Sequence, residues 1–124
     1  INLNTDSKMA VYVSNIVIEQ GFDFETTYEL SDASTNGPLN MVGYGITAQI
    51  RKSYSSSSST VFNCTLVDSA NGIIKIELTK EQTVQLKPGR HVYDIAIQPG
   101  GLNSNSDRNK AIEGMALVRP GVTR

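Results

Sequence analysis

The 124-residue sequence has one cysteine, one histidine and no tryptophan. A lone Cys64 can close no internal disulfide and supplies no multi-cysteine metal site, and a lone His91 excludes the His-rich sites. Excess charge of one sign is missing too. Eleven Lys and Arg against twelve Asp and Glu leave a net charge of -1, without the basic footprint that phosphate neutralisation requires, so nucleic acid is not an expected partner. No run of eighteen apolar residues is present, so no membrane span is expected. The N-terminus has no charged stretch followed by an apolar one, so no secretory signal is read.

What the sequence does contain is enough apolar residue, 39%, with 19% charged, to fold as one domain of ordinary size. Residues 1–8 (INLNTDSK) precede a Met9-Ala10 pair that reads as a translation start. They are expected to be a leader or flexible arm, with 9–124 as a single domain. Helical periodicity is nearly absent, and short β-branched and aromatic runs recur between Gly, Pro, Asn and Ser clusters. The fold class read from this is all-β: an immunoglobulin-like antiparallel sandwich of about seven strands with one short helical turn. The strands are expected near 10–20, 22–31, 44–52, 60–68, 72–78, 91–98 and 110–119.

Alternation supplies the buried face. Phe22, Phe24, Tyr28 and Leu30 share one side of the second strand, and Ile46, Ala48 and Ile50 one side of the third. Phe62, Cys64 and Leu66 follow, then Ile74, Ile76 and Leu78, then Tyr93, Ile95 and Ile97. The first and last strands are apolar on both sides: Val11, Val13 and Val17 oppose Tyr12, Ile16 and Ile18, while Met115 and Leu117 oppose Ile112, Ala116 and Val118. Either the first strand switches sheets, or a terminal strand packs on a neighbouring subunit. Thr79 and Gln82 form a capping-box pattern, with Val84 and Leu86 placed to cover a sandwich end. Leu86, Pro88, Gly89 and Tyr93 echo the corner in which a tyrosine hydroxyl ties such a connection to the next strand. Asn71-Gly72 predicts a hairpin, and Ser53 to Ser59 and residues 100–109 predict polar loops.

The motifs that could carry chemistry each fail on spacing or context. Gly43, Gly45 and Ala48 satisfy G-x-G-x-x-A, but a strand follows where a dinucleotide site needs a helix, so the glycines read as a strand-entry bend. Asn103, Asn105, Asp107 and Asn109 open like a calcium loop, yet Arg108 stands at its sixth position and Gly114 at its twelfth. His91 and Asp94 point to opposite faces of a strand, Cys64 sits among apolar neighbours, and Asp23, Glu25 and Glu29 read as solvent-facing. No catalytic, cofactor or metal residue is assigned. Charge is uneven along the chain: six acids and one base up to Gly45, six acids and ten bases from Ile46, or -5 and +4. Complementary surfaces on neighbouring copies are one reading of that split.

Several segments together resemble a β-sandwich domain of tailed-phage virion proteins. They are Gly21-Phe22-Asp23-Phe24, Pro38-Leu39-Asn40-Met41-Val42-Gly43-Tyr44, Ala48-Gln49-Ile50-Arg51-Lys52, Gly72-Ile73-Ile74-Lys75-Ile76-Glu77-Leu78, Gly89-Arg90-His91-Val92-Tyr93-Asp94-Ile95, and Glu113-Gly114 through Thr123-Arg124. In order and spacing they are similar to the N-terminal immunoglobulin-like domain of upper baseplate proteins and to small structural proteins of marine cyanobacterial phages. That family often has an aromatic where this chain has His91 and an acid where it has Asn40. The resemblance implies a non-enzymatic virion subunit of tail, baseplate or head, assembled in the host cytoplasm. It implies no cofactor, and as partners other virion proteins and further copies of itself. The alternative is a sandwich that binds host-surface carbohydrate, with Tyr12, Tyr44 and Tyr54 as stacking residues.

Overall fold

In a computed structural model the described residues are 2–3, 12–32 and 36–122. The strands are β1 (Asn2–Leu3), β2 (Tyr12–Val13), β3 (Ile16–Glu19), β4 (Phe24–Glu29), β5 (Ser31–Asp32), β6 (Gly45–Arg51), β7 (Thr60–Val61), β8 (Asn63–Asp68), β9 (Ile73–Leu78), β10 (Gly89–Gln98) and β11 (Asn109–Arg119). One four-residue helix, α1 (Lys80–Thr83), and a 3-10 turn at Ser69–Asn71 complete the described elements. The larger sheet runs β2/β3-β11-β10-β6-β7 and the smaller runs β4-β9-β8, while β1 pairs in parallel with β5. With β4, β6, β8, β9, β10 and β11 as the second to seventh strands, the second, fifth and fourth form one sheet and the third, sixth and seventh the other. That is the immunoglobulin order. The expected seven-strand sandwich is present.

Both sheets bury alternate residues, as strand geometry requires. Ile74, Ile76 and Leu78 of β9 face Ala48 and Ile50 of β6 and Tyr93, Ile95 and Ile97 of β10 across the core, with Phe62 between the sheets. Phe24, Ile46, Cys64 and Leu66 pack at its margin. The Phe62 ring lies 6.2 Å from both Phe24 and Tyr93, at tilted and edge-on angles that suit aromatic quadrupoles.

Four expectations change. Phe22 is 48% exposed rather than core, because β4 begins only at Phe24. Residues 21–23 instead clasp α1: the Thr83 hydroxyl donates to the Phe22 carbonyl and accepts from Gly21 N–H, and Asp23 Oδ1 accepts from Lys80 N–H at 2.8 Å. The expected capping box of Thr79 and Gln82 is present beside them. Leu86 is buried, as a cover of the sandwich end should be, while Val84 remains exposed.

Second, the sheet switch lies in the fourth expected strand and not in the first. β7 pairs with β6 in the larger sheet and β8 with β9 in the smaller one, the chain crossing at buried Phe62. β2 and β3 both pair with β11, interrupted at Ser14-Asn15; Ala10 and Val11 lie outside the described residues. At the interruption the Ser14 carbonyl comes so near β11 that a Cβ on Gly114 would meet it at 2.0 Å, so only glycine fits. Ser14 N–H donates to the Glu113 carbonyl, and Asn15 Oδ1 takes the Met115 N–H that would otherwise lack a strand partner, both at 2.9 Å.

Third, Tyr93 makes a buried tie, but to a different place. Its hydroxyl donates to the Ser14 carbonyl and meets the Tyr28 hydroxyl at 3.0 Å, joining the two sheets to the β2-β3 break. The 86–90 connection is held by His91, whose Nε2 lies 2.7 Å from the Lys87 carbonyl. Fourth, the 36–44 segment adds Leu39 and Met41 to the core, both buried and pinned by bonds from Leu39 N–H to the Leu30 carbonyl and from Met41 N–H to the Ser69 carbonyl. Gly72 ends the predicted hairpin at φ 68°, where a side chain would collide with the Leu30 and Leu39 carbonyls at 2.5 and 2.7 Å.

Candidate functional site

The residues weighed for chemistry have structural positions. His91 is buried beneath the 86–90 connection and faces inward, while Asp94, three residues on, faces outward to Lys110, so no triad geometry forms. Cys64 is half-buried at the core margin. Burial pushes its thiol above the usual range, against a weaker opposing effect from a backbone hydrogen bond with Ala48, so it is held as a thiol rather than a nucleophile. Among the described residues no group of three His, Cys, Asp or Glu side chains is placed to hold a metal ion.

The 100–109 loop is organised by an amide. Buried Gln98 donates through Nε2 to the Ser104 and Ser106 carbonyls at 3.0 and 2.9 Å and accepts from Arg108 Nε at 3.2 Å. Leu102 of the same loop covers Gly45, where a Cβ would meet its backbone nitrogen at 2.6 Å. Gly45 therefore serves loop packing. In the serine loop, the Ser56 carbonyl accepts from Arg51 Nη1 at 2.7 Å, which closes its first turn.

Tyr12, Tyr44 and Tyr54 are not brought together. Tyr12 pairs with Ile112 at the β2 edge, Tyr44 is half-buried against the core, and Tyr54 lies on the opposite, outer side beside Gln49, Arg51 and Val92. Tyr54 lines a cleft with Gln49, Arg51 and Val92 that neither Tyr12 nor Tyr44 lines.

On the smaller sheet Glu25, Thr27, Glu29, Thr65, Lys75 and Glu77 point outward with Ile73 and with Val67, which is 53% exposed, and Lys75 bridges Glu25 and Glu77 at 3.9 and 3.6 Å. On the larger sheet the outer rows mix charge with apolar residues. Val17 pairs with Leu117, Leu117 with Arg90, and Met115 with Val92. Val17, Leu117 and Met115 are 51%, 40% and 38% exposed. The expectation that both sides of the terminal strands are buried thus resolves into an inner side that is core and an outer apolar side that is uncovered. Below them Asp94 and Glu113 share Lys110 at 3.6 and 3.2 Å, and above them Arg119 pairs with Glu19 at 3.3 Å. Burial lowers the affinity of Lys110 for its proton, but the hydrogen bond to Glu113 and the charges of Asp94 and Glu113 outweigh it and hold the ammonium above its usual range.

No described helix is long and apolar enough to cross a membrane. No protein-family model matches the chain, and no curated protein matches it by sequence. Solved structures are similar in fold. The N-terminal domain of phage TP901-1 ORF48 superposes with a TM-score of 0.55 at 10% identity, over 95% of this chain and 94% of that one. The Listeria monocytogenes internalin-like protein lmo2027 gives 0.42 at 15% identity, over 87% of this chain and 28% of that one. AggA, the major subunit of aggregative adherence fimbriae type I from Escherichia coli, gives 0.40 at 8% identity over 87% and 90%. At such identities the likeness is one of fold, and the fold is an all-β sandwich with immunoglobulin strand order.

Proposed function

We propose that this chain is a non-enzymatic structural subunit of a phage virion, assembled in the host cytoplasm into tail, baseplate or head through strand edges and terminal arms. The observation that carries the reading is the end-to-end likeness to a phage domain, 95% of one chain on 94% of the other, joined to the resemblance in segment order described above. The side-chain chemistry agrees with it: His91, Cys64, Asp23 and Asp94 are engaged in packing, capping or ion pairs. Edge strands supply the means of joining, because β8 and β3 are sheet edges among the described residues, and an edge can accept a further strand.

The test is quantitative mass spectrometry of purified particles of the phage that encodes the chain, with labelled antibody to locate it. A fixed integer copy number per particle is expected. Absence from intact particles, with the protein abundant in the lysate, would overturn the reading.

A further inference from the structure

We infer that the cleft at one end of the sandwich, between the end of β6, the start of β7 and the 85–87 connection, is a binding site for a phosphate group carried on a sugar. Strand register builds it. Thr60 lies beside Ile50, and Lys52, two residues past inward-facing Ile50, keeps the inward side where the sheet ends. The cleft holds about 300 Å³, at the lower end of the range for small-molecule sites. Arg51, Lys52 and Lys87 are its bases, Ser58, Ser59 and Thr60 supply hydroxyls, and buried Ile50 and Leu86 give it an apolar part.

The charge of the cleft is one-sided and held in place. No Asp or Glu lines it, whereas the clefts at Asp94 and at Asp23, Glu25 and Glu77 carry carboxylates. Lys75, Lys110 and Arg119 are each paired with acids; the bases here make no ion pair among the described residues. Arg51 donates from Nη1 to the Ser56 carbonyl and from Nη2 to Gln49 Oε1, at 2.7 and 2.8 Å, and Lys52 Nζ donates to the Arg90 carbonyl at 3.0 Å. Those acceptors are neutral oxygens, so they fix both cations without cancelling their charge. An ammonium has three N–H groups, and Lys52 keeps two to give. His91 Nε2 bonds the Lys87 carbonyl at 2.7 Å and so anchors the backbone that carries the exposed Lys87 side chain. A phosphate dianion is the complement of such a set, because charge-assisted donors already held in place lose little freedom on binding it.

The rest of the lining selects what carries the phosphate. The hydroxyls and the Gln85 amide both donate and accept, as the hydroxyls of a sugar require. No aromatic ring lines the cleft, so a nucleotide base has nothing to stack on. The inference stands apart from the virion reading, and either can fail without the other.

The experiment is isothermal titration calorimetry on the full chain at low salt, with glucose 6-phosphate, inorganic phosphate, glucose and a thymidine oligonucleotide as separate titrants. Glucose 6-phosphate is expected to bind once per chain with a dissociation constant of about 1 mM or below. It should bind about threefold or more tighter than inorganic phosphate, and glucose should give no binding heat. Lys87→Gln removes one charge from the cleft and should weaken glucose 6-phosphate about fivefold or more. Arg108→Gln removes one charge at the other end of β10, keeps an amide for Gln98, and should stay within about twofold of wild type. Circular dichroism confirms that each variant is folded. No binding of glucose 6-phosphate up to about 10 mM overturns the inference, as does equal weakening by the two variants, which would reduce the effect to net charge. Inorganic phosphate as tight as the sugar ester overturns the assignment to a sugar, and an oligonucleotide that binds more tightly than either overturns the inference in favour of nucleic acid.

Discussion

Gly114→Ala tests whether the β2-β3 break is a built feature of the fold. A Cβ at position 114 would stand 2.0 Å from the Ser14 carbonyl oxygen, 2.7 Å from its carbon and 3.2 Å from Asn15 Oδ1. Side-chain carbons do not approach backbone oxygen closer than 3.0 Å, so the two strands must separate by at least about 1 Å. Three hydrogen bonds cross that gap or depend on it: Ser14 N–H to the Glu113 carbonyl, Met115 N–H to Asn15 Oδ1, and the Tyr93 hydroxyl to the Ser14 carbonyl. At about 1 kcal/mol each, with a further penalty for any group left buried and unpaired, the loss is about 3 to 5 kcal/mol. Against a typical total of about 5 to 15 kcal/mol this is a large share. In urea, with a slope of about 1 to 3 kcal/mol/M, the midpoint should fall by roughly 2 M. Gly43→Ala is the control: it sits at φ 82° with nothing within 4 Å, so it should lose only the left-handed penalty of about 1 to 2 kcal/mol. A Gly114→Ala midpoint equal to that of Gly43→Ala or higher would refute the argument from contact.

Two further outcomes can be checked on the same instrument. Burial, then the Tyr28 hydroxyl, hold the Tyr93 phenol far above its ordinary value; a phenol raised on folding contributes stability that is full below the unfolded value near 10 and is lost as pH rises beyond it. Between pH 8 and pH 11 the urea midpoint of wild type should therefore fall more than that of Tyr93→Phe, which at pH 7 is itself about 1 to 3 kcal/mol less stable; parallel curves would contradict this. Doubling the serine loop by inserting Gly-Ser residues after Ser57 keeps the Arg51 to Ser56 bond and should cost under about 1 kcal/mol, since closure entropy grows with the logarithm of length; loss of folding would show that the loop packs.

The sandwich is legible in the sequence because its physics is local. Period-two burial over 46–50, 74–78 and 93–97 is stated residue by residue, and the turn residues between strands carry their own conformational preferences. The sheet switch at Phe62 is not legible. Phe62, Cys64 and Leu66 all keep the inward face, so alternation runs unbroken while the hydrogen-bonding partner changes from β6 to β9. Leu39 and Met41 are hidden for the opposite reason: they enter the core from a segment with no period at all, held by two backbone bonds to distant carbonyls. Gly114 did carry a signal, because glycine inside a strand marks a close backbone approach. Which backbone approaches is a matter of tertiary structure. Phe22 shows the reverse error, an alternating position that lies two residues outside the strand.

The charge split illustrates how a true property of the chain can mislead about its surface. The first 45 residues are acidic and the rest basic, but each sheet is woven from both halves: β4 lies beside β9, and β3 beside β11. Glu25 is consequently met by Lys75, and Glu19 by Arg119, across neighbouring strands. The order of charges along the chain is therefore not their order across a sheet. It is the strand pairing that determines which charges meet on a face, and so which complement that face can accept.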